Sequence, residues 1–319
     1  MLHLQLFGHL SIEHHEGGVR SAAVGLQGRA AGLLAFLALA QGRFFTRHEL
    51  IEALWTDQAE LPGVGTLNTT LWRLRRALQQ PPLGRKDLVR SDGRGSVGVP
   101  ADAALQLDVA EFVRLVEPAL AQPLEALDAA DIARLRRGVA LYRDDMLVGF
   151  TDDWALRQRE LHRRLFLNAM ARLMHLAVLQ QDLEAAITCA QGILDRDPLR
   201  EDIHRELMRL FLLSGQRAMA LRQYEHCREA LRKELAIQPM RETVAVYQQI
   251  AEGAIGHGEA AAPAGAREGD WSVAAPAAWP AGVASALDLL SNARRHLALA
   301  DADLQLCLPL VGGGARAAD

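Results

Sequence analysis

One stretch limits what this chain can fold into more than any other. Residues 63–80, GVGTLNTTLWRLRRALQQ, place Leu67, Leu71, Leu74 and Leu78 on one helical stripe and Thr69, Trp72, Arg73 and Arg76 on the opposite face. One side of such a helix needs a core; the other presents hydroxyl, indole and guanidinium groups. By itself an Arg-bearing face is usually a solvated surface. The next segment changes that reading: residues 88–99, LVRSDGRGSVGV, set two short apolar ends around Asp92-Gly93, a residue pair of tight hairpin turns.

Charge agrees with the pattern. Residues 64–100 hold seven basic side chains (Arg73, Arg75, Arg76, Arg85, Lys86, Arg90, Arg94) against Asp87 and Asp92, a local +5 in a chain of net charge −4. A basic island in acidic surroundings is an electrostatic footprint for a polyanion. An Arg-faced helix followed by a basic hairpin is the layout of a winged helix, whose helix enters the major groove while the wing lies along the DNA backbone.

With 319 residues, the length suggests about two domains. Residues 2–24 alternate and read as two or three short strands of a small antiparallel sheet, with a turn at Gly17-Gly18 flanked by solvated His14 and His15. A first helix is expected over about 27–40; it contains the most apolar run, 30–40, which is too short to span a bilayer at ~20 residues. The second helix starts where Thr46 and Glu49 form a capping box and Phe45 with Leu50 a hydrophobic staple. Pro62, Gly63 and Gly65 then turn the chain into the third helix. From 107 onward the pattern is helical, with Asp108 and Glu111 as a further capping box.

An internal repeat follows. Ala186 and Ala220 lie 34 residues apart, and Pro198 falls where a repeat should end. That is the tetratricopeptide period, fitted by Ala186, Ile193 and Pro198 in one copy and by Phe211, Ala220, Tyr224 and Cys227 in a second, which runs about seven residues long before Pro239. Such helix pairs bury their faces only by stacking on neighbours. After about 252 the composition shifts to Ala, Gly and Pro, a linker over 254–281, and 282–319 holds a helix candidate whose incomplete heptads favour docking on the repeats over a coiled coil.

Several segments resemble a known family. The order sheet, helix, helix, turn, Arg-faced helix, hairpin resembles the OmpR/PhoB-type winged helix; LHLQLFGHLSIE, RHELIEALW and LNTTLWRLRRAL resemble the N-terminal domain of the SARP group of bacterial regulators. Residues 141–165, with Gly149, Phe150 and Trp154, resemble the bacterial transcriptional activator domain that accompanies it. The expected fold is therefore mainly α: a winged helix-turn-helix with a small antiparallel sheet over 1–103 and a tetratricopeptide-like domain over 104–253. The resemblance implies a transcription regulator, an activator on tandem direct repeats of double-stranded DNA that recruits RNA polymerase. Two sites side by side call for two protomers, and dimers formed only on DNA would look monomeric in solution. The repeats are left open between dimer contacts, polymerase contacts and the binding of a small molecule or protein.

On this reading Thr69, Trp72, Arg73 and Arg76 read bases, since Arg grips guanine bidentately. Thr66, Asn68, Arg75, Arg90 and Arg94 meet the DNA backbone. The competing reading is an adaptor whose winged helix binds protein; it gives no reason to keep the +5 island. An enzyme would rest on Gly93, Gly95 and Gly98, a GxGxxG without the helix that motif requires. No GxSxG, HExxH or Walker motif is present, and His204 and His226 lack partners at ligand spacing, so neither metal nor cofactor is expected. Cys189, Cys227 and Cys307, without CxxC spacing, fit a reducing, cytoplasmic setting with no membrane contact.

Overall fold

The computed structural model describes residues 2–253 apart from 17–18, 25, 56–62, 82 and 86, and the side chains of 14–25 are also outside the described residues. The turn at Gly17-Gly18, the placement of the His14 and His15 side chains, Pro62 and the whole reading of 254–319 thus lie outside the described residues.

The N-terminal elements are β1 (Leu2–Gln5), β2 (Ser11–Glu16), β3 (Val19–Val24), α1 (Gly28–Leu39), β4 (Phe44–Phe45), α2 (Arg47–Leu54), α3 (Val64–Gln79), β5 (Arg90–Ser91), β6 (Val97–Gly98) and β7 (Leu105–Leu107). β1, β2 and β3 form the expected antiparallel meander, with Leu4 opposite Ile12. The sheet also takes in β7, parallel to β1, so its order is β3-β2-β1-β7. Alternation puts Leu2, Leu4 and Ile12 inward, where all three are fully buried. A second sheet, ordered β4-β6-β5, is the wing.

Local chemistry explains the helix starts. Thr46 caps α2: its Oγ1 accepts from the Glu49 amide at 3.3 Å while the Glu49 carboxylate accepts from the Thr46 amide at 2.7 Å. Phe45 and Leu50 are both buried, as a staple requires. α3 starts one residue before Gly65 and buries Leu67, Thr70, Leu71, Leu74 and Leu78. Each of these leucines contributes about 1.5–3 kcal/mol of apolar burial, which fixes the opposite face outward.

The helical elements are α4 (Asp108–Leu120), a 3-10 turn (Leu124–Ala126), α5 (Ala129–Leu141), α6 (Asp153–Leu179), α7 (Leu183–Leu194), α8 (Glu201–Leu213), α9 (Arg217–Leu235) and α10 (Arg241–Glu252). Ala186, Ala190, Ile193, Ala220 and Cys227 are fully buried between stacked helices. Burial pushes the Cys227 thiol up to about 12, so it packs as a small hydrophobe. Small residues set the close crossings: a Cβ on Gly138 of α5 would come within 2.5 Å of Val116 on α4. The seven extra residues of the second repeat copy extend α9, 19 residues long against 12 for α7. No described helix is long and apolar enough to cross a membrane.

The expected Asp108–Glu111 capping box does not form. Asp108 turns back to the first sheet and accepts from the Leu6 and Phe7 amides at 2.9 and 3.0 Å, and Glu111 pairs with Arg114 at 2.6 Å. Two orphan amides at the end of β1 compete better for the carboxylate than a helix terminus open to water. Burial raises the Asp108 carboxyl above its ordinary range even though these amides stabilise the charged form.

One joint fastens the helices to the winged helix. The Leu147 and Val148 amides donate to the Leu6 and Gly8 carbonyls at 2.8 and 2.9 Å. Phe150 lies over Gly32 of α1, 3.4 Å from where a Cβ would stand, and Trp154 meets Phe36 edge to face at 5.4 Å. Asp152 pairs with Arg29, which also donates to the Leu54 carbonyl. Gly149 reaches this packing through a left-handed backbone, φ +91°. The joint mounts α1, and through it α3, on the helical domain.

Candidate nucleic-acid interface

The exposed face of α3 carries the four residues proposed to read bases. Thr69, Trp72, Arg73 and Arg76 are all exposed, and Trp72 keeps 57% of its surface open. Its indole does not pack on a neighbouring domain among the described residues; the Arg76 guanidinium lies over it at 5.1 Å. Together they form a flat cationic plate at the centre of the face. Thr69 and Thr70 each donate to the carbonyl four residues back, at 2.9 Å, which leaves the Thr69 hydroxyl oxygen able to accept. Among the described residues, no acidic side chain pairs with Arg73, Arg76 or Arg94.

The flanking residues divide. Thr66 and Asn68 are exposed on the first turns of α3. Arg75, half-buried, donates to the Ser91 hydroxyl on β5 at 3.0 Å and so ties the helix to the wing. Arg90 donates to the Asp87 carbonyl at 3.1 Å, while Arg94 stands exposed at the wing tip.

The wing turn differs from a two-residue Asp-Gly hairpin. Ser91 pairs with Val97, so five residues, 92–96, make the loop. The Asp92 carboxylate accepts from the Arg94 and Ser96 amides at 2.9 and 2.7 Å, and the left-handed residue is Gly95, φ +86°, rather than Gly93. A side chain that folds onto its own loop replaces the tight turn, and the result aims Arg94 outward. The GxGxxG glycines all belong to this wing. Gly98 sits where a Cβ would meet the Arg43 carbonyl at 2.4 Å, which is the close approach of β4 to β6.

Arg47 belongs to this site, and its bridging role has no signal in the sequence, where it is the first residue of the segment RHELIEALW. Its Nε donates to the side-chain Oδ1 of Asn68 at 3.3 Å, and its Nη1 donates to the Gly95 backbone carbonyl at 2.5 Å. Among the described residues, no group of three His, Cys, Asp or Glu side chains could hold a metal ion.

Two family models match this chain: "Transcriptional regulatory protein, C terminal" over residues 21–95, and "Bacterial transcriptional activator domain" over residues 107–251. The regulatory protein AfsR of Streptomyces coelicolor is 28% identical over 218 residues, covering 68% of this chain and 21% of that protein. AfsR of Streptomyces griseus is 27% identical over 227 residues, again 68% of this chain and 22% of the relative. The chain thus spans about a fifth of the length of these relatives. The solved structure of Mycobacterium tuberculosis EmbR in complex with a low affinity phosphopeptide superposes with a TM-score of 0.56 at 19% identity, covering 79% of this chain and 65% of that one, a likeness of fold. With the winged helix, the stacked repeats and both matched segments in one order along one chain, the protein joins an OmpR/PhoB-like winged helix to a bacterial transcriptional activator domain, the arrangement to which the SARP-type resemblance points.

Proposed function

We propose that the chain binds duplex DNA through α3 and the wing and regulates transcription as an activator on tandem direct repeats. The observation that carries this reading is the α3 face: an exposed Trp72–Arg76 plate and an exposed Arg73 without an acidic partner among the described residues, opposite a fully buried leucine stripe. A solvated surface helix gains nothing from an exposed indole, whereas a groove-binding helix gains apolar contact and bidentate donors. Thr69, Trp72, Arg73 and Arg76 reach base edges; Thr66, Asn68, Arg75, Arg90 and Arg94 hold phosphates. The helical repeats meet RNA polymerase or a second protomer, and the pair forms on DNA.

The test is selection from a random duplex pool with the full-length protein at about 150 mM salt, where purely electrostatic binding is suppressed. A shared sequence in the survivors, repeated in tandem, is the expected result. A folded protein that enriches nothing would transfer the winged helix to protein binding and make the chain an adaptor.

A further inference from the structure

Arg47 lies at the centre of the candidate interface without facing outward. It follows the cap residue Thr46 at the start of α2, is half-buried, and reaches two other elements at once. Nε donates to Asn68 on the second turn of α3 at 3.3 Å; Nη1 donates to Gly95 in the wing loop at 2.5 Å. The wing approaches closely enough that a Cβ on Gly95 would stand 3.0 Å from Nη1, and Gly95 has φ +86°, which a side chain would also oppose. One guanidinium therefore joins the turn between α2 and its cap, the recognition helix and the wing.

We infer that Arg47 is a positioning residue for DNA recognition, which holds the wing and α3 as one rigid reader and orients the Asn68 amide. This rests on the DNA-binding reading above. The chemistry of the contact fixes the orientation. A guanidinium only donates, so the Asn68 carbonyl oxygen faces Arg47 and its NH2 group faces away from it. Asn68 is exposed, so that NH2 presents two donors at the edge of the α3 face, suited to an acceptor such as a phosphate oxygen. The wing contact has a parallel consequence. With the Gly95 carbonyl held, Arg94 beside it projects from a fixed loop, and binding DNA does not have to order that loop first. Arg75, which donates to Ser91 at 3.0 Å, ties the other end of the wing to the same helix.

A double-mutant cycle on the full chain tests this, with the duplex recovered by the selection as probe. Arg94→Ala should weaken the wild-type chain by roughly threefold to tenfold, the loss of one phosphate contact, and flatten its salt dependence by about one unit of log–log slope. In the Arg47→Ala chain the same Arg94→Ala change should cost less than about twofold, because a wing no longer held delivers Arg94 poorly. Fully additive losses would overturn the positioning role and leave Arg47 as an independent contact or a purely structural group. Asn68→Asp tests the amide separately and keeps an acceptor toward Arg47. Binding should fall by at least about tenfold, since a carboxylate oxygen then faces phosphate, while the thermal midpoint does not fall. Undiminished binding by Asn68→Asp would overturn the orientation. Should the wild-type chain select no sequence, the DNA reading itself fails and this inference with it, an outcome distinct from specific binding with an additive cycle.

Discussion

Two sets of arginines, one in the helical half and one on the outer face of the winged helix, are used in opposite ways. In the helical half Arg159, Arg172, Arg196 and Arg217 are half-buried, and three of them hold carbonyls of the loop before α6 or of the ends of α4 and α10. Arg159 donates to the Met146, Leu147 and Phe150 carbonyls at 2.7, 2.5 and 2.9 Å, Arg172 to Ala119 at 3.0 Å, and Arg217 to Ile250 and Ala251 at 2.9 and 3.1 Å. Arg196 stacks over Tyr142 and Phe166 at 4.9 and 5.1 Å. On α3 and the wing tip, Arg73, Arg76 and Arg94 are exposed with no acidic partner among the described residues. Residue type is the same; what differs is whether the donors are already satisfied. Satisfied donors build the fold, and unsatisfied ones await a partner.

This contrast predicts that the two groups fail in different assays. The largest effect is expected at Arg159. Arg159→Ala strips three part-buried carbonyls of a charged donor and loosens the joint that carries the winged helix, so unfolding free energy should fall by about 3 kcal/mol or more, read from urea melts. DNA affinity per folded molecule should change little. A melt unchanged within about 0.5 kcal/mol would place Arg159 among the surface groups, which behave that way, and would remove it from the set that builds the fold. On the other side, Arg73→Ala or Arg76→Ala should cost about 1–3 kcal/mol of specific DNA affinity with the urea midpoint unmoved. Equal losses on specific and random duplex would move that residue from base to phosphate contact.

Between these lies Thr46→Ala, which removes a cap from α2 beside Arg47. Stability should drop by about 1 kcal/mol. Because the cap was legible in the sequence, this variant also marks how far local reasoning reaches. Thr46 and Glu49 are three residues apart, and nothing distant competes for either. Asp108 shows the opposite case: the same spacing to Glu111 reads as a cap, but the carboxylate is captured by amides more than a hundred positions away in the chain. β4 and β7, two and three residues long, have no periodicity to detect and exist only because β6 and β1 offer edges. The α3 face was legible because a single helix sets it. Arg47 was not, because its role depends on where α3 and the wing come to rest. Gly149, Phe150 and Trp154 stood out by resemblance alone; their physical part, packing on Gly32 and Phe36 of α1, needed the fold.

The smallest effect concerns pH and separates the halves again. His162 and His204 are buried in the helical half, and burial lowers both below the ordinary histidine value of 6.5. Their geometry suits neutral rings: His162 Nδ1 sits 2.7 Å from the Gln158 carbonyl, and His204 bridges the Pro198 carbonyl at 3.0 Å and the Gln223 amide at 2.7 Å. A donor to Pro198 on one nitrogen and an acceptor from Gln223 on the other is a role only the neutral ring can fill. Since the folded state disfavours the proton, their contribution is fully present above about pH 6.5 and is lost as pH falls through the depressed folded values. Asp108 works in the reverse sense, because its raised carboxyl favours the folded state as pH falls. The urea midpoint should therefore decline from pH 7.5 to 5, and His204→Gln, which keeps a donor and an acceptor without a titrating proton, should flatten the decline. Guanidinium groups keep their charge across this window, so affinity for DNA per folded molecule should stay level. An affinity that tracked the stability curve instead would mean that the interface senses the state of the helical core, and the division between satisfied and waiting arginines would no longer describe two independent halves.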